Sequence, residues 1–289
     1  MADNDHKGDI KLTGAQETLL LTLIARARDT ESTHPILNDT YAASVVKQDK
    51  DSGYGFSKRL RYGLLERPVS ALISLRTRIL DLKTEAFLAA HPGRATVLHL
   101  ACGLDSRSLR VKWQDQGRLW VDVDKQDVVE LRRQVTRDPS AGPGAEPVVV
   151  IMEGLRMYLE RDEVYGLLRQ ITWCFLDRDV HGEIYFDAAG TITVNIANTL
   201  GVLKQLGTSL KWSLSHHSEL EKEVPGLKFQ DGTGFPKWIT HDAFTAGRLG
   251  TMVRNILYVL NFLWPSTRAV GIYSYRFRGA TSSKRSMVS

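Results

Sequence analysis

The segment Thr96-Val97-Leu98-His99-Leu100-Ala101-Cys102-Gly103 limits what this chain can fold into more than any other. A run apolar enough for a buried strand stops abruptly on three small residues, which marks a tight turn. A second apolar run, Leu119-Trp120-Val121-Asp122-Val123-Asp124, ends in acid. A strand, a small-residue turn and a second strand tipped by a carboxylate is how doubly wound sheets hold a nucleoside. Small side chains let the backbone approach the ligand, and a carboxylate accepts hydrogen bonds from two ribose hydroxyls. The fold class expected is therefore α/β, with a Rossmann-like, mostly parallel sheet.

The remaining sequence narrows the class of function. Its formal charge of +5 is spread along the chain except at Lys58-Arg59-Leu60-Arg61 and Lys284-Arg285. Nucleic-acid binding calls for a denser basic stripe, so no nucleic-acid partner is expected. The two cysteines, Cys102 and Cys174, form no CxxC or Cys/His cluster, and no metal is expected. Both lie in apolar runs, as free thiols do in a reducing compartment. The start, Met1-Ala2-Asp3-Asn4-Asp5, is acidic and unlike a secretory leader. The longest apolar stretch, Ile256 to Trp264, is interrupted by Asn261 and is far shorter than the ~20 residues that span a bilayer. No membrane association is expected, and a cytoplasmic enzyme is the default.

Periodicity places helices at Leu12–Ala27 with Thr13 as a cap, from Thr40, and at Val69–Ala90, the last ended by His91-Pro92-Gly93. Gly53-Tyr54-Gly55 is a turn. Strands are expected at 95–101, 118–124, 148–152 and 183–187. Helices are expected at 127–134, 161–175 and 191–206. Lys228-Phe229 and Ala269–Phe277 read as a closing strand pair, the second antiparallel if the fold is the one implied by the resemblance given below, bridged by a largely helical 241–263. These elements form one domain over 11–279, with a helical cap at 11–94, an α/β core at 95–279, a disordered tail at 1–10 and a flexible one at 280–289.

Six segments in order resemble the leucine carboxyl methyltransferase family, in particular its polyketide O-methyltransferase branch. They are Leu12–Leu20, Pro35–Asp39, Leu75–Asp81, Leu100–Arg107, Val121–Asp124 with Val128–Arg133, and Glu153–Leu159. The resemblance implies a class I methyltransferase sheet with S-adenosyl-L-methionine across the carboxyl ends of the strands. It implies that Arg76 pairs with the methionine carboxylate, for which a guanidinium fork is suited. It places Ala101 and Gly103 under the cofactor, Ala101 standing where the family usually has glycine. Asp124 is the implied ribose acid, and Glu153 lies near the cofactor's amino-acid end. Tyr158 is either a pocket wall or a core tyrosine. Asp105 and Arg107 read as an ion pair fixing the loop, and His99 as a core histidine.

Asp124 and Pro147 are only 23 positions apart. A helix of about 11 residues, a strand of about 5 and their connections do not all fit there. The third strand and the acidic adenine loop are therefore expected to be missing, so the sheet would lack one edge strand. Asp138, in Thr136-Arg137-Asp138-Pro139-Ser140, remains to reach the adenine amino group.

The function implied is O-methylation of a small-molecule natural product. The alternatives are a catalytically impaired relative and a methyltransferase acting on a protein C-terminal carboxylate. A nicotinamide-dependent oxidoreductase is disfavoured because Leu100–Asp105 lacks the spaced three-glycine fingerprint. A phenol or alcohol substrate would benefit from a general base, for which His216 and His217 are the candidates; they read otherwise as a solvated helix start.

Overall fold

The computed structural model describes residues 18–52, 66–115, 117–135, 147–176, 180–199, 203, 207–234 and 270–277. Three helices come first: α1 (Thr18–Thr30), α2 (Thr40–Ser52) and α3 (Glu66–Ala90). Two carboxylates shape the link between α1 and α2. Asp29 accepts the backbone N–H groups of Ile36, Leu37 and Asn38 at 3.0, 2.8 and 3.2 Å. Asp39 accepts the Ala42 N–H at 3.0 Å, which caps the start of α2.

The sheet contains β1 (Ala95–Leu100), β2 (Arg118–Val123), β3 (Val148–Met152), β4 (Gly182–Ala188), β5 (Leu227–Gly234) and β6 (Gly271–Phe277). Between them run α4 (Arg107–Arg110), α5 (Gln126–Val135), α6 (Arg161–Leu176), α7 (Thr191–Thr199) and α8 (Ser218–Glu223). The strand order is β2-β1-β3-β4-β6-β5. β2, β1, β3 and β4 are parallel, and β6 runs antiparallel to β4 and β5. The chain goes outward from β1 to β2, then returns to the other flank of β1 for β3. That reversal opens a crevice above the carboxyl ends of β1 and β3.

Register sets what borders the crevice. Leu100 pairs with Val123 and with Met152, and Met152 with Phe186. The four parallel strands thus come level at these residues. The next residue on each, Ala101, Asp124, Glu153 and Asp187, falls in one row along the carboxyl edge.

Side chains alternate across the sheet with the period of two that a strand imposes. Val148, Val150, Met152, Ile184, Phe186, Tyr275 and Phe277 pack on the face covered by α6 and α8. Val149, Ile151, Val97, Tyr185 and Ile272 pack on the face covered by α3. All five residues of β3 are buried, as a central parallel strand requires. A third apolar cluster joins Leu23, Ile24, Ala27, Ala42, Val45 and Val46 of α1 and α2 to Leu104, so the helical cap packs on the turn that follows β1.

The described helix starting at Thr191 ends at Thr199. The strand expected at Lys228-Phe229 is longer, Leu227–Gly234, with a pairing irregularity between Phe229 and Asp231. Among the described residues the sheet ends at β2, and none of their helices is long and apolar enough to cross a membrane. Residues 1–10, Thr13, the Gly53–Gly55 turn, the 136–146 segment with Asp138, the 241–263 helix and the 280–289 tail lie outside the described residues.

Candidate functional site

Two left-handed turns face each other across the crevice. After β1, Ala101 and Gly103 have φ of +51° and +53°. Among the described residues, a Cβ on Gly103 would meet only Leu19 Cβ, at 3.6 Å, an ordinary contact that leaves the space above this turn nearly open to them. Ala101 carries a methyl group in a region that costs an ordinary residue about 1–2 kcal/mol. The turn is held from both sides. The Gly103 N–H donates to Asp124 Oδ2 at 2.7 Å, and Arg132 on α5 donates to the Gly103 and Asp105 carbonyls at 3.2 and 2.5 Å. The turn after β3 repeats this design: Gly154, at φ +68°, donates its N–H to Asp187 Oδ1 at 2.7 Å. Each turn is therefore tied to the acid at the tip of the neighbouring strand.

Arg76 reaches from α3 to the second turn. Its Nε and Nη2 lie 3.0 and 2.9 Å from Glu153 Oε1, and its Nη1 lies 3.0 Å from Asp187 Oδ2. Glu153 also accepts from Thr77 Oγ1 at 2.8 Å and from Arg107 Nη2 at 2.5 Å. Burial alone would raise the Glu153 pKa, but Arg76 and Arg107 outweigh it and hold the carboxyl below its ordinary value. Burial wins at Asp187, whose pKa is raised in spite of Arg76.

Beneath these groups lies a buried network of alternating charges. Arg107, fully buried, donates from Nε to Asp81 at 2.7 Å and lies 3.2 Å from Asp105. Arg110 meets Asp39, Asp81 and Asp105 at 2.9 Å each. Arg26 of α1 spans Asp39 at 2.9 Å and Asp105 at 3.0 Å, and also donates to the Leu104 carbonyl. Burial would raise Asp105, yet Arg107, Arg110 and Arg26 hold it well below the usual carboxylate range. The cap helices are thus clamped to the first turn by charge as well as by apolar packing.

Asp122 and Asp124 have different fates. Asp122 accepts from Trp120 Nε1 at 2.8 Å and from Arg132 at 2.5 Å, and its Oδ1 lies 3.2 Å from His99 Nδ1. His99 Nε2 lies 3.3 Å from Arg107 Nη1, so a tautomer protonated on Nδ1 satisfies both contacts. Asp122 and His99 are therefore structural. Asp124 is half-buried at the strand tip and bonded only to the Gly103 and Lys125 N–H groups in the described contacts, which leaves lone pairs for a ligand.

Arg76, Ala101, Gly103, Asp124 and Glu153 thus converge on one edge, and Asp105 with Arg107 form the expected ion pair. Tyr158 lies on a half-buried 3-10 turn beside Arg76, and burial raises its pKa. Cys102 is buried, which pushes its thiol pKa up and away from reactivity. His216 and His217 immediately precede α8. Their ring centroids lie 4.2 Å apart, His217 stacks on Phe229 at 4.0 Å, and His216 Nδ1 contacts Ser218 Oγ at 2.8 Å. No described hydrogen bond or ring contact joins either to the crevice residues. Sequence reasoning missed Asp187, although the run Glu183–Asp187 has the same acid-tipped form as Leu119–Asp124. It also gave no role to Arg26, Asp39, Asp81, Arg110 and Arg132, although Asp39, Asp81 and Arg132 lie within the family segments.

A model of the family described as leucine carboxyl methyltransferase matches residues 20–150. The chain is 42% identical over 295 residues to the S-adenosyl-L-methionine-dependent methyltransferase dpfgK of Gibberella zeae, covering 94% of this chain and 98% of that protein. It is 36% identical over 238 residues to the tetracenomycin polyketide synthesis O-methyltransferase TcmP of Streptomyces glaucescens, covering 77% of this chain and 83% of that one.

Proposed function

The chain belongs to the leucine carboxyl methyltransferase family of S-adenosyl-L-methionine-dependent enzymes, and from that membership we propose that it methylates an oxygen of a small natural product. The observation that carries the site assignment is the level row of Ala101, Asp124, Glu153 and Asp187 above a turn open at Gly103. The residues fit a nucleoside sulfonium bearing an amino-acid tail. Asp124 accepts the ribose hydroxyls. Val123, 40% exposed beside it, gives apolar surface to the base. Arg76 keeps N–H groups for the tail carboxylate, and Glu153 accepts from the tail ammonium. Asp138 belongs to the base side in the same assignment.

When bound, the cofactor supplies a methyl group already activated for displacement. The protein then has to hold the acceptor oxygen in line and exclude water. Glu153 and Asp187 fix Arg76 at the end of the row, and the Arg132 clamp fixes the turn. An acidic acceptor that arrives ionised needs no base. Our assignment gives no proton-transfer role to His216 or His217.

Residues 11–279 act as one unit in this reading, because the Arg26 contacts tie the cap to the core. Free thiols at Cys102 and Cys174 support a reducing, cytoplasmic setting. The substrate class is supported by the likeness to TcmP, an O-methyltransferase of tetracenomycin polyketide synthesis.

The test is calorimetric titration of S-adenosylhomocysteine into the wild type and Asp124→Ala. Loss of hydrogen bonds to a charged group predicts about ten- to a hundredfold weaker binding in the variant. Equal affinity in both proteins, or no wild-type binding at millimolar ligand, would overturn the assignment.

A further inference from the structure

Among the described residues, one buried cation makes no ion pair. Arg156 opens the 3-10 turn Arg156–Tyr158 just after Gly154, and it is 1% exposed. Its Cζ lies 3.5 Å from the ring centroid of Phe186 and 4.3 Å from that of Trp212. A guanidinium packed against rings keeps its N–H donors in its own plane. Here Nε, Nη1 and Nη2 all lack a hydrogen-bond acceptor. The arginines of the charge network differ: Arg26, Arg107 and Arg132, which are buried, and Arg76 and Arg110, which are partly buried, each meet a carboxylate.

The described acids do not fill the gap. Asp187 follows Phe186 on β4, but its two oxygens are engaged by Gly154 N–H and Arg76. The Tyr275 hydroxyl, on the same side, donates to the His217 carbonyl. Burial lowers the Arg156 pKa to about 9, so the group is still charged at neutral pH and lacks a partner. A buried, unpaired cation is among the most costly groups a fold can keep, and an apolar side chain of similar volume would relieve that cost. The place is also specific. Gly154 belongs to the second turn and Phe186 adjoins the Asp187 tip, so the cation lies directly behind the β3 and β4 ends. In the assignment above, the acceptor for the methyl group approaches these same strand ends. Of its two ring neighbours, Phe186 is locked in a central strand, whereas Trp212 lies between α7 and α8 outside any helix or strand. Trp212 is buried and its backbone N–H lies 3.4 Å from the Met157 carbonyl, so a ligand that reaches Arg156 has to displace the indole ring.

Resting on the methyl-transfer assignment above, we infer that Arg156 is a specificity residue that binds an oxyanion of the substrate, a carboxylate or an ionised phenol or enol. The acceptor molecule is therefore acidic, and its negative oxygen completes the pair the protein leaves open. The guanidinium edge orients that oxygen, and displacement of Trp212 accompanies entry.

Benzoate, 4-nitrophenolate at pH 8 and neutral benzamide are titrated into the protein saturated with S-adenosylhomocysteine, followed by calorimetry and tryptophan fluorescence. At least one oxyanion is expected to bind about ten- to a hundredfold tighter than benzamide, from the difference between a charged and a neutral hydrogen bond. Benzoate preference identifies a carboxylate ligand, and nitrophenolate preference an ionised phenol or enol. Arg156→Met is expected to lose the preference, to keep its affinity for S-adenosylhomocysteine, and to melt at a higher temperature. Arg156→Lys, which keeps the charge, is expected to retain part of the preference. Equal binding of all three probes to the wild type overturns the inference without use of any variant, as does a preference that survives Arg156→Met. Failure of the wild type to bind S-adenosylhomocysteine would instead sink the methyl-transfer assignment, while the oxyanion comparison could still be made on the free protein.

Discussion

Replacing Glu153 by Gln tests whether the crevice floor is held by charge or by shape. The side chain keeps its size, but one oxygen becomes an NH2 group. Glu153 Oε1 accepts from Arg76 and Thr77, and Oε2 from Arg107 at 2.5 Å. Whichever oxygen is replaced, a donor then faces a donor. Removing one partner of a buried ion pair costs about 3–5 kcal/mol. The lower end applies, because Arg76 keeps Asp187 and Arg107 keeps Asp81. At about 2–4 °C per kcal/mol for a chain of this size, the expected fall in Tm is roughly 6–12 °C. Thermal unfolding followed by circular dichroism measures it. The double variant Glu153→Gln/Arg107→Met is expected to lose less than the sum of the single losses, since each change relieves the other's unpaired group. A Tm within 2 °C of the wild type, or strictly additive losses, would refute electrostatic support of the second turn.

Two further outcomes are expected. Gly182→Ala puts a Cβ against the Val148 carbonyl oxygen and the Phe277 ring in the middle of the sheet, so the variant is expected to be largely insoluble; a soluble protein with unchanged Tm would contradict the described β3–β4 pairing. Stability is also expected to fall in acid. Asp105, Asp122 and Glu153 have folded pKa values below their ordinary 3.8, 3.8 and 4.5. The unfolded chain therefore takes up protons first as pH drops, so their contribution is complete above about pH 5 and is lost below it. Asp187, raised by burial, works in the opposite sense and offsets part of the fall. Urea unfolding between pH 3 and 7 checks the sign, and a midpoint that is flat or rises toward pH 3 would show it to be wrong.

The strands and turns were legible because their signals are local. Val148–Met152 reads as a buried strand, and the small residues at Ala101–Gly103 mark a turn whose left-handed backbone disfavours larger side chains. The family segments at 75–81 and 153–159 pointed to Arg76 and Glu153 without showing that they touch. That contact spans 77 positions and exists only because α3 crosses the carboxyl edge. Arg156 was also hidden, since its isolation is a property of everything around it.

What the sequence determined by itself was the alternation of strands and turns and the presence of acid at the strand tips, because both follow from short-range periodicity and backbone sterics. It did not determine which acid faces a ligand. Asp122 and Asp124 are two apart in one acid-tipped run, and strand alternation gives both the same side, so they look alike in sequence. Only tertiary structure separates them. Pairing with β1 brings His99 opposite Asp122, and α5 delivers Arg132 to it, whereas Asp124 lies one step past the last paired residue and stays open.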